Sequence, residues 1–160
     1  MMKDLEHDYF YDVGLSLSVV DLGKIEKVAS SVGELFEKMR YQGAGSSLIN
    51  PYKLTTPKAA FEQEKVNFEY EQGYQLLEFE QNKKLHNKAI NKAKEFDTIL
   101  FFSGLSEMAE SEGCDRKNLS LPENQIVLLE ELVKLNKKIV LVLYGGSPFE
   151  IPAYDKINGL

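Results

Sequence analysis

The chain has 160 residues, 43% hydrophobic and 28% charged, with a formal net charge of −6. That length suits one domain whose core can do without disulfides or metals. The acidic balance and scattered lysines exclude the basic face of a nucleic-acid platform, no run approaches the roughly 20 apolar residues of a membrane helix, and the one cysteine, Cys114, cannot form an internal disulfide.

The N-terminus, MMKDLEHDYFYD, is acidic where a secretory signal needs a basic start, so a cytoplasmic location is expected. Residues 1–24 carry apolar side chains without a helical or strand period, and 1–26 are set apart as an atypical N-terminal segment. Val28–Val32 is predicted as a first strand, weakened by Ser30 and Ser31. In the loop that follows, Gly43 and Gly45 mark a sharp turn or a close backbone approach. Thr56 and Pro57 then supply an N-cap hydroxyl and a proline at the first helical position, predicting a helix to about Glu64.

Val66–Tyr70 alternates apolar and polar residues and reads as a short strand. Asn82–Glu95 reads as an amphipathic helix with Leu85, Ala89, Ile90 and Ala93 on one face. Asp97–Leu105 is predicted as an interior parallel strand, because its ILFF core is apolar on both faces. Ser120 and Glu123 have capping-box spacing before a helix carrying Ile126, Leu129, Leu132 and Val133, which ends near Asn136. IVLVLY is a further buried strand stopped by Gly145-Gly146-Ser147-Pro148, and residues 149–160 begin another element. This alternation predicts a mainly parallel sheet with helices on both faces, a three-layer α/β sandwich of the Rossmann or flavodoxin-like kind.

The loop between the Asp97 strand and the Ser120 helix carries Glu107, Glu110, Glu112 and Asp115. Loops after the carboxyl ends of strands are where α/β proteins place their chemistry. A glutamate there, partly enclosed, can have its pKa raised and act as a general acid. Glu112, followed by Gly113, is the candidate; the alternative is a solvated acidic loop. Other chemistries find less support. GAGSS lacks the GK[ST] ending of a phosphate loop and the third glycine of a dinucleotide fingerprint. His7 and His86 lie far apart in charged surroundings, read as solvated surface residues, and form no metal site. Cys114 has no base placed beside it and reads as passive.

Three stretches carry a resemblance. RYQGAGSSLINP (Arg40–Pro51), FSGLSEMAESEGCDRKNLSLPENQ (Phe102–Gln125) and GGSPFEIP (Gly145–Pro152) resemble, in order and spacing, the second domain of family 3 glycoside hydrolases, the β-glucosidase family. The likeness runs from about Lys27 to the end, so 27–160 is expected to be a partial domain of that kind, incomplete at its C-terminus. The resemblance implies a retaining glycosidase acting on β-linked glucosides or oligosaccharides, without a cofactor. It implies a first, barrel domain bearing an aspartate nucleophile, often within Ser-Asp-Trp, and a second domain supplying the acid/base glutamate from a loop matching SEGCDR. By position that is Glu112, with Glu110 as fallback because loop length varies. Gly45, Ser46 and Ser47 are implied to line the sugar pocket, and Asp115 and Arg116 to form an ion pair holding the loop.

The chain departs from the family pattern too. It has no tryptophan, hence no Ser-Asp-Trp, and no room for a barrel of about 250 residues. KVASSVG stands where the family's first strand reads like KVAVIG, and the later GQxGG-type segment is not reached. A truncated piece is therefore expected, inactive until a barrel on another chain completes the pocket, or covering its docking face by self-association. The alternative is a non-catalytic remnant acting as a carbohydrate-binding or protein-interaction module. A flavodoxin-like cofactor binder rests on fold analogy alone and would need a flavin-yellow preparation to support it.

Overall fold

The structure, a computed structural model, describes residues 29–78 and 80–160. The expectations for residues 1–26, including His7, lie outside the described residues. Four strands, β1 (Ala29–Val32), β2 (Phe68–Glu71), β3 (Thr98–Gly104) and β4 (Lys138–Tyr144), form one sheet in the order β2-β1-β3-β4. Every pairing between them is parallel. Parallel neighbours need crossover connections, and helices provide them: α1 (Pro57–Gln63) between β1 and β2, α2 (Lys83–Ala93) between β2 and β3, and α3 (Glu123–Val133) between β3 and β4. Beyond β4, a single turn of 3₁₀ helix at Tyr154–Lys156 leads to a parallel bridge between Gly159 and Val140.

The apolar run of β3 divides by parity, as the pleat requires. Ile99 and Phe101 face α2 and α3, packing with Ala89, Ile90, Ala93, Leu128, Leu129 and Leu132. Leu100 and Phe102 face the opposite layer with Leu35, Phe36 and, from α1, Phe61. There Phe36 stands amid rings, its centroid 4.8 Å from that of Phe102 and 5.2 Å from that of Phe68. Helices therefore cover both faces, giving the predicted three-layer sandwich. At the end of β3, Gly104 has φ +151°, and a Cβ there would fall 2.0 Å from the Tyr144 carbonyl oxygen. Only glycine lets β3 and β4 close at this end.

The helix starts follow from local chemistry in two cases of three. Thr56 caps α1, its hydroxyl accepting from the Ala59 N–H at 3.2 Å, and Asn82 caps α2, accepting from the Leu85 N–H at 3.3 Å. The capping box expected at Ser120 does not form. Pro122 holds the N-cap position of α3 with no side-chain bond, because Ser120 is drawn into a bridge with Glu150 and its carbonyl accepts from Arg116 at 3.3 Å. The buried side of α3 is also rotated from the expected one: Ile126 and Val133 are half-buried, and the core side carries Asn124, Gln125, Leu128, Leu129 and Leu132.

His86 departs from its surface reading as well. It is 2% exposed and shares the helical stripe of Ala89, Ile90 and Ala93. Its ring nitrogens meet the Gln81 amide at 3.0 Å and the Glu131 carboxylate at 2.9 Å, so the imidazole bridges α2 and α3 with both polar atoms satisfied. Ser30 and Ser31, which weakened the β1 prediction, are fully buried in it with no hydrogen-bond partner for either hydroxyl. An unpartnered buried hydroxyl costs about 1–3 kcal/mol; packing of the flanking strands sustains β1 in spite of it.

Candidate active site

A sheet ordered 2-1-3-4 reverses direction between β1 and β3, and the crevice at the carboxyl ends of those strands is where such folds bind ligands. Three loops meet there: residues 33–56 after β1, 105–122 after β3, and 145–153 after β4. Gln125 at the start of α3 squares off the β3 end. Its carbonyl oxygen accepts from the Ser103 hydroxyl at 2.6 Å and the Gly104 N–H at 2.9 Å, while its amide donates to the Gly104 carbonyl at 2.9 Å. The loop carrying the acidic residues therefore leaves from a fixed point.

That loop is fastened to the β1 loop. Ala44 and Ser111 form an isolated parallel bridge, and the Glu112 N–H donates to the Ala44 carbonyl at 2.7 Å. The Glu112 carboxylate, though exposed, accepts from the Ser46 N–H at 2.7 Å. That backbone N–H, with the Ser46 hydroxyl, holds the Glu112 carboxyl below the usual glutamate range. Gly45 sits so close that a Cβ would meet Oε2 of Glu112 at 3.0 Å and its Cβ at 3.1 Å. Gly45 and Ser46 thus form a seat for Glu112. Ser47 beside them is exposed.

Glu110 lies in different surroundings. It ends a turn of 3₁₀ helix, Glu107–Glu110, that Ser106 caps by accepting from the Ala109 N–H at 3.2 Å. Its carboxylate pairs with Arg40 and accepts from the Ser147 hydroxyl and, through both oxygens, from the Gly146 N–H at 2.9 and 3.1 Å. Burial pushes this carboxyl up, but the Gly146 N–H, the Ser147 hydroxyl and the Arg40 guanidinium outweigh it and hold it below the ordinary range.

Arg116 does not pair with Asp115. No ion pair within 4.0 Å joins them among the described residues, and Asp115 is exposed on the rim of the open cavity that Arg116 also borders. Arg116 instead donates to the Ser147 hydroxyl oxygen at 2.9 Å and to the carbonyls of Pro148 and Ser120 at 3.0 and 3.3 Å. A guanidinium offers several donors in a rigid fork, and here a hydroxyl and two backbone carbonyls brought together by the fold accept from it. Arg116 and Glu110 border an open cavity of about 660 Å³ with Arg40, Cys114, Leu119 and Ser147; Glu112 is not on its wall. Cys114 is exposed there. The role of Arg116, which joins the Ser147 hydroxyl to the carbonyls of Pro148 and Ser120, and the splice made by Gln125 escape sequence reasoning, since each depends on a partner distant in sequence. Arg40 lies inside a recognisable motif, yet its partner is 70 positions away in the chain (40 to 110). Among the described residues no group of three or more histidine, cysteine or acidic side chains could hold a metal.

The sheet order and the charged loop cluster at its switch point define a parallel α/β domain that carries polar machinery on the loops after β1, β3 and β4. Residues 22–160 match the model of the glycosyl hydrolase family 3 C-terminal domain, and the chain belongs to that family. It is 39% identical over 132 residues to the thermostable β-glucosidase B of Acetivibrio thermocellus, an alignment covering 81% of this chain and 18% of that protein. To the exo-α-(1→6)-L-arabinopyranosidase of Bifidobacterium breve it is 37% identical, over 78% of this chain and 16% of that one. The Bifidobacterium adolescentis family 3 β-glucosidase crystal structure superposes with a TM-score of 0.75 at 36% identity, covering 82% of this chain and 19% of that one. The chain therefore spans less than a fifth of the length of these relatives.

Proposed function

We propose that this domain supplies the acid/base glutamate, Glu112, for hydrolysis of O-glycosidic bonds in β-linked glucosides or related sugars. The observation that carries the reading is the seating of Glu112: an exposed carboxylate at the switch-point crevice, fixed through its own N–H to Ala44 and through its oxygen to Ser46. Retaining glycosidases need two carboxyl groups about 5 Å apart, one attacking and one protonating the leaving oxygen. The family resemblance assigns the attacking aspartate to a barrel domain, so a barrel must meet this face, whether joined to this sequence or on another polypeptide. Leu48, Ile49 and Tyr52 on the β1 loop and Met108 and Leu119 on the β3 loop are exposed around the site, a surface suited to burial against such a neighbour.

Apart from the barrel, Glu112 is held ionised. Docking would desolvate it and bring a second carboxylate near, and both effects raise a carboxyl pKa toward that of a working acid. The Ser46 N–H occupies Oε2, which leaves Oε1 to carry the proton to the leaving oxygen.

The test is hydrolysis of a chromogenic β-glucoside by the chain alone, by a family 3 barrel domain alone, and by the two mixed. Activity confined to the mixture, lost in Glu112→Ala and partly restored by azide, is the expected result. An inactive mixture whose two components associate and whose barrel binds sugar would sink the reading and favour a non-catalytic binding module.

A further inference from the structure

We infer that Glu110 is a positioning residue: its carboxylate, gripped by Arg40, Gly146 and Ser147, locks the loops after β1, β3 and β4 into the one frame on which Glu112 stands. The inference rests on the acid/base reading of Glu112 and assigns Glu110 a different task.

The Arg40 and Glu110 side chains are only 7% and 11% exposed. Each carboxylate oxygen of Glu110 has two donors: Gly146 N–H and Arg40 on one, Gly146 N–H and the Ser147 hydroxyl on the other. Little capacity is left for a substrate, and a carboxylate facing a guanidinium is a poor proton donor. The grip extends both ways. Arg40 also donates to the carbonyls of Gln42 at 3.0 Å and Leu105 at 3.3 Å, which ties the β1 loop to the end of β3. Ser147 passes the connection to Arg116, and Arg116 to the carbonyls of Pro148 and Ser120. Glu110 is the one member that touches all three loops.

Glu112 is two residues away. Ser111, between them, makes the bridge to Ala44, and both contacts that hold Glu112 go to residues of the β1 loop, whose other fastening to this network is Arg40. Breaking a buried pair by removing one partner leaves the other charge uncompensated, so Arg40 must move when Glu110 is lost. The register between the two loops moves with it. A misplacement of about 1 Å at a reacting group can cost on the order of a hundredfold in rate.

The experiment titrates the Glu112 carboxyl by carbon NMR in the full chain, in the wild type, Glu110→Ala and Glu110→Gln. Electrostatics and positioning predict opposite signs. Deleting a nearby negative charge by itself lowers the Glu112 pKa, whereas losing the Ser46 seat raises it toward the ordinary glutamate value. The expected result is an upward shift in Glu110→Ala and a smaller one in the near-isosteric Glu110→Gln, with β3–β4 amide contacts unchanged. An unchanged or lowered Glu112 pKa in the variants that fold overturns the inference, and Glu110→Gln decides it if Glu110→Ala does not fold.

A second readout uses the mixture with a barrel domain. Glu110→Ala should slow a poor leaving group, such as an alkyl glucoside, at least about tenfold more than a dinitrophenyl glucoside, which needs no acid. Equal slowing of both overturns the positioning role. If Glu112→Ala leaves hydrolysis intact, the acid/base reading falls, and the titration still decides whether Glu110 sets the loop.

Discussion

At the residue scale, glycine at position 45 is a requirement of contact. The seat of Glu112 is built from a backbone so close to the carboxylate that a methyl group would press on both its Oε2 and its Cβ. Gly45→Ala is expected to displace Glu112 while leaving the distant sheet intact. Hydrolysis by the mixture with a barrel domain should fall by about 10- to 100-fold, with the melting temperature of the chain within a few degrees of wild type. A normal rate would show that the seat has no part in catalysis. Motif spacing pointed to Gly45, Ser46 and Glu112 separately. That Gly45 and Ser46 serve Glu112, in addition to any contact with a sugar, is a matter of the distance between two loops.

At the element scale, the loops are only as well placed as the ends of the strands they leave. Gln125 does this for β3, binding the Ser103 hydroxyl and both backbone groups of Gly104 from the first turn of α3. Gln125→Leu fills the same space without the polar atoms. The Gly104 N–H and carbonyl then lose their side-chain partner, and the expected cost is about 1–3 kcal/mol in the free energy of unfolding, measured by urea denaturation. An unchanged midpoint would mean that water replaces the amide freely. The rotation of α3 has the same origin: two polar residues, Asn124 and Gln125, are buried because backbone carbonyls wait for them, with the Asn124 amide donating to the carbonyl of Gln75 at 2.9 Å. A hydrophobic count could not reveal this, since it places both residues on the solvent side.

At the scale of the whole molecule, acid stability follows from the carboxylates that bind the loops. Both Glu110 and Glu112 are lowered in the folded chain. Such groups stabilise the fold above the unfolded pKa of about 4.3, and that stability is lost as pH falls through the folded value. The chain should therefore be less stable at about pH 3.5 than at neutrality, with the loss due to these groups setting in only near and below about pH 4.3. Glu110→Gln should be less stable than wild type near neutrality and show a shallower acid loss, read from denaturation midpoints at the two pH values. An equal acid loss in both would remove Glu110 from the account. Glu112, fully exposed, is expected to contribute less to this slope because solvent screens it.

Local pattern along the chain accounts for the layers. Apolar runs of period two and stripes of period 3.6 are local in the chain, and ILFF, IVLVLY, Thr56-Pro57 and the Ala89–Ala93 face carry their structural meaning within a few residues. The family motifs were equally local, and they fall on the acidic loop that its place after a strand had already marked. Tertiary structure alone decided which partners those residues have. His86 became a bridge between α2 and α3 because Gln81 and Glu131 flank it in space. Arg116 turned from Asp115 to the Ser147 hydroxyl and two backbone carbonyls because the β4 loop lies against it. Glu110 and Glu112, two residues apart and alike in type, were separated by what folds against each: a buried arginine for one, the exposed Ser46 amide for the other. Hydrogen bonds and ion pairs act over about 3 Å of space whatever the chain distance between their partners, so no reading along the chain alone could assign them.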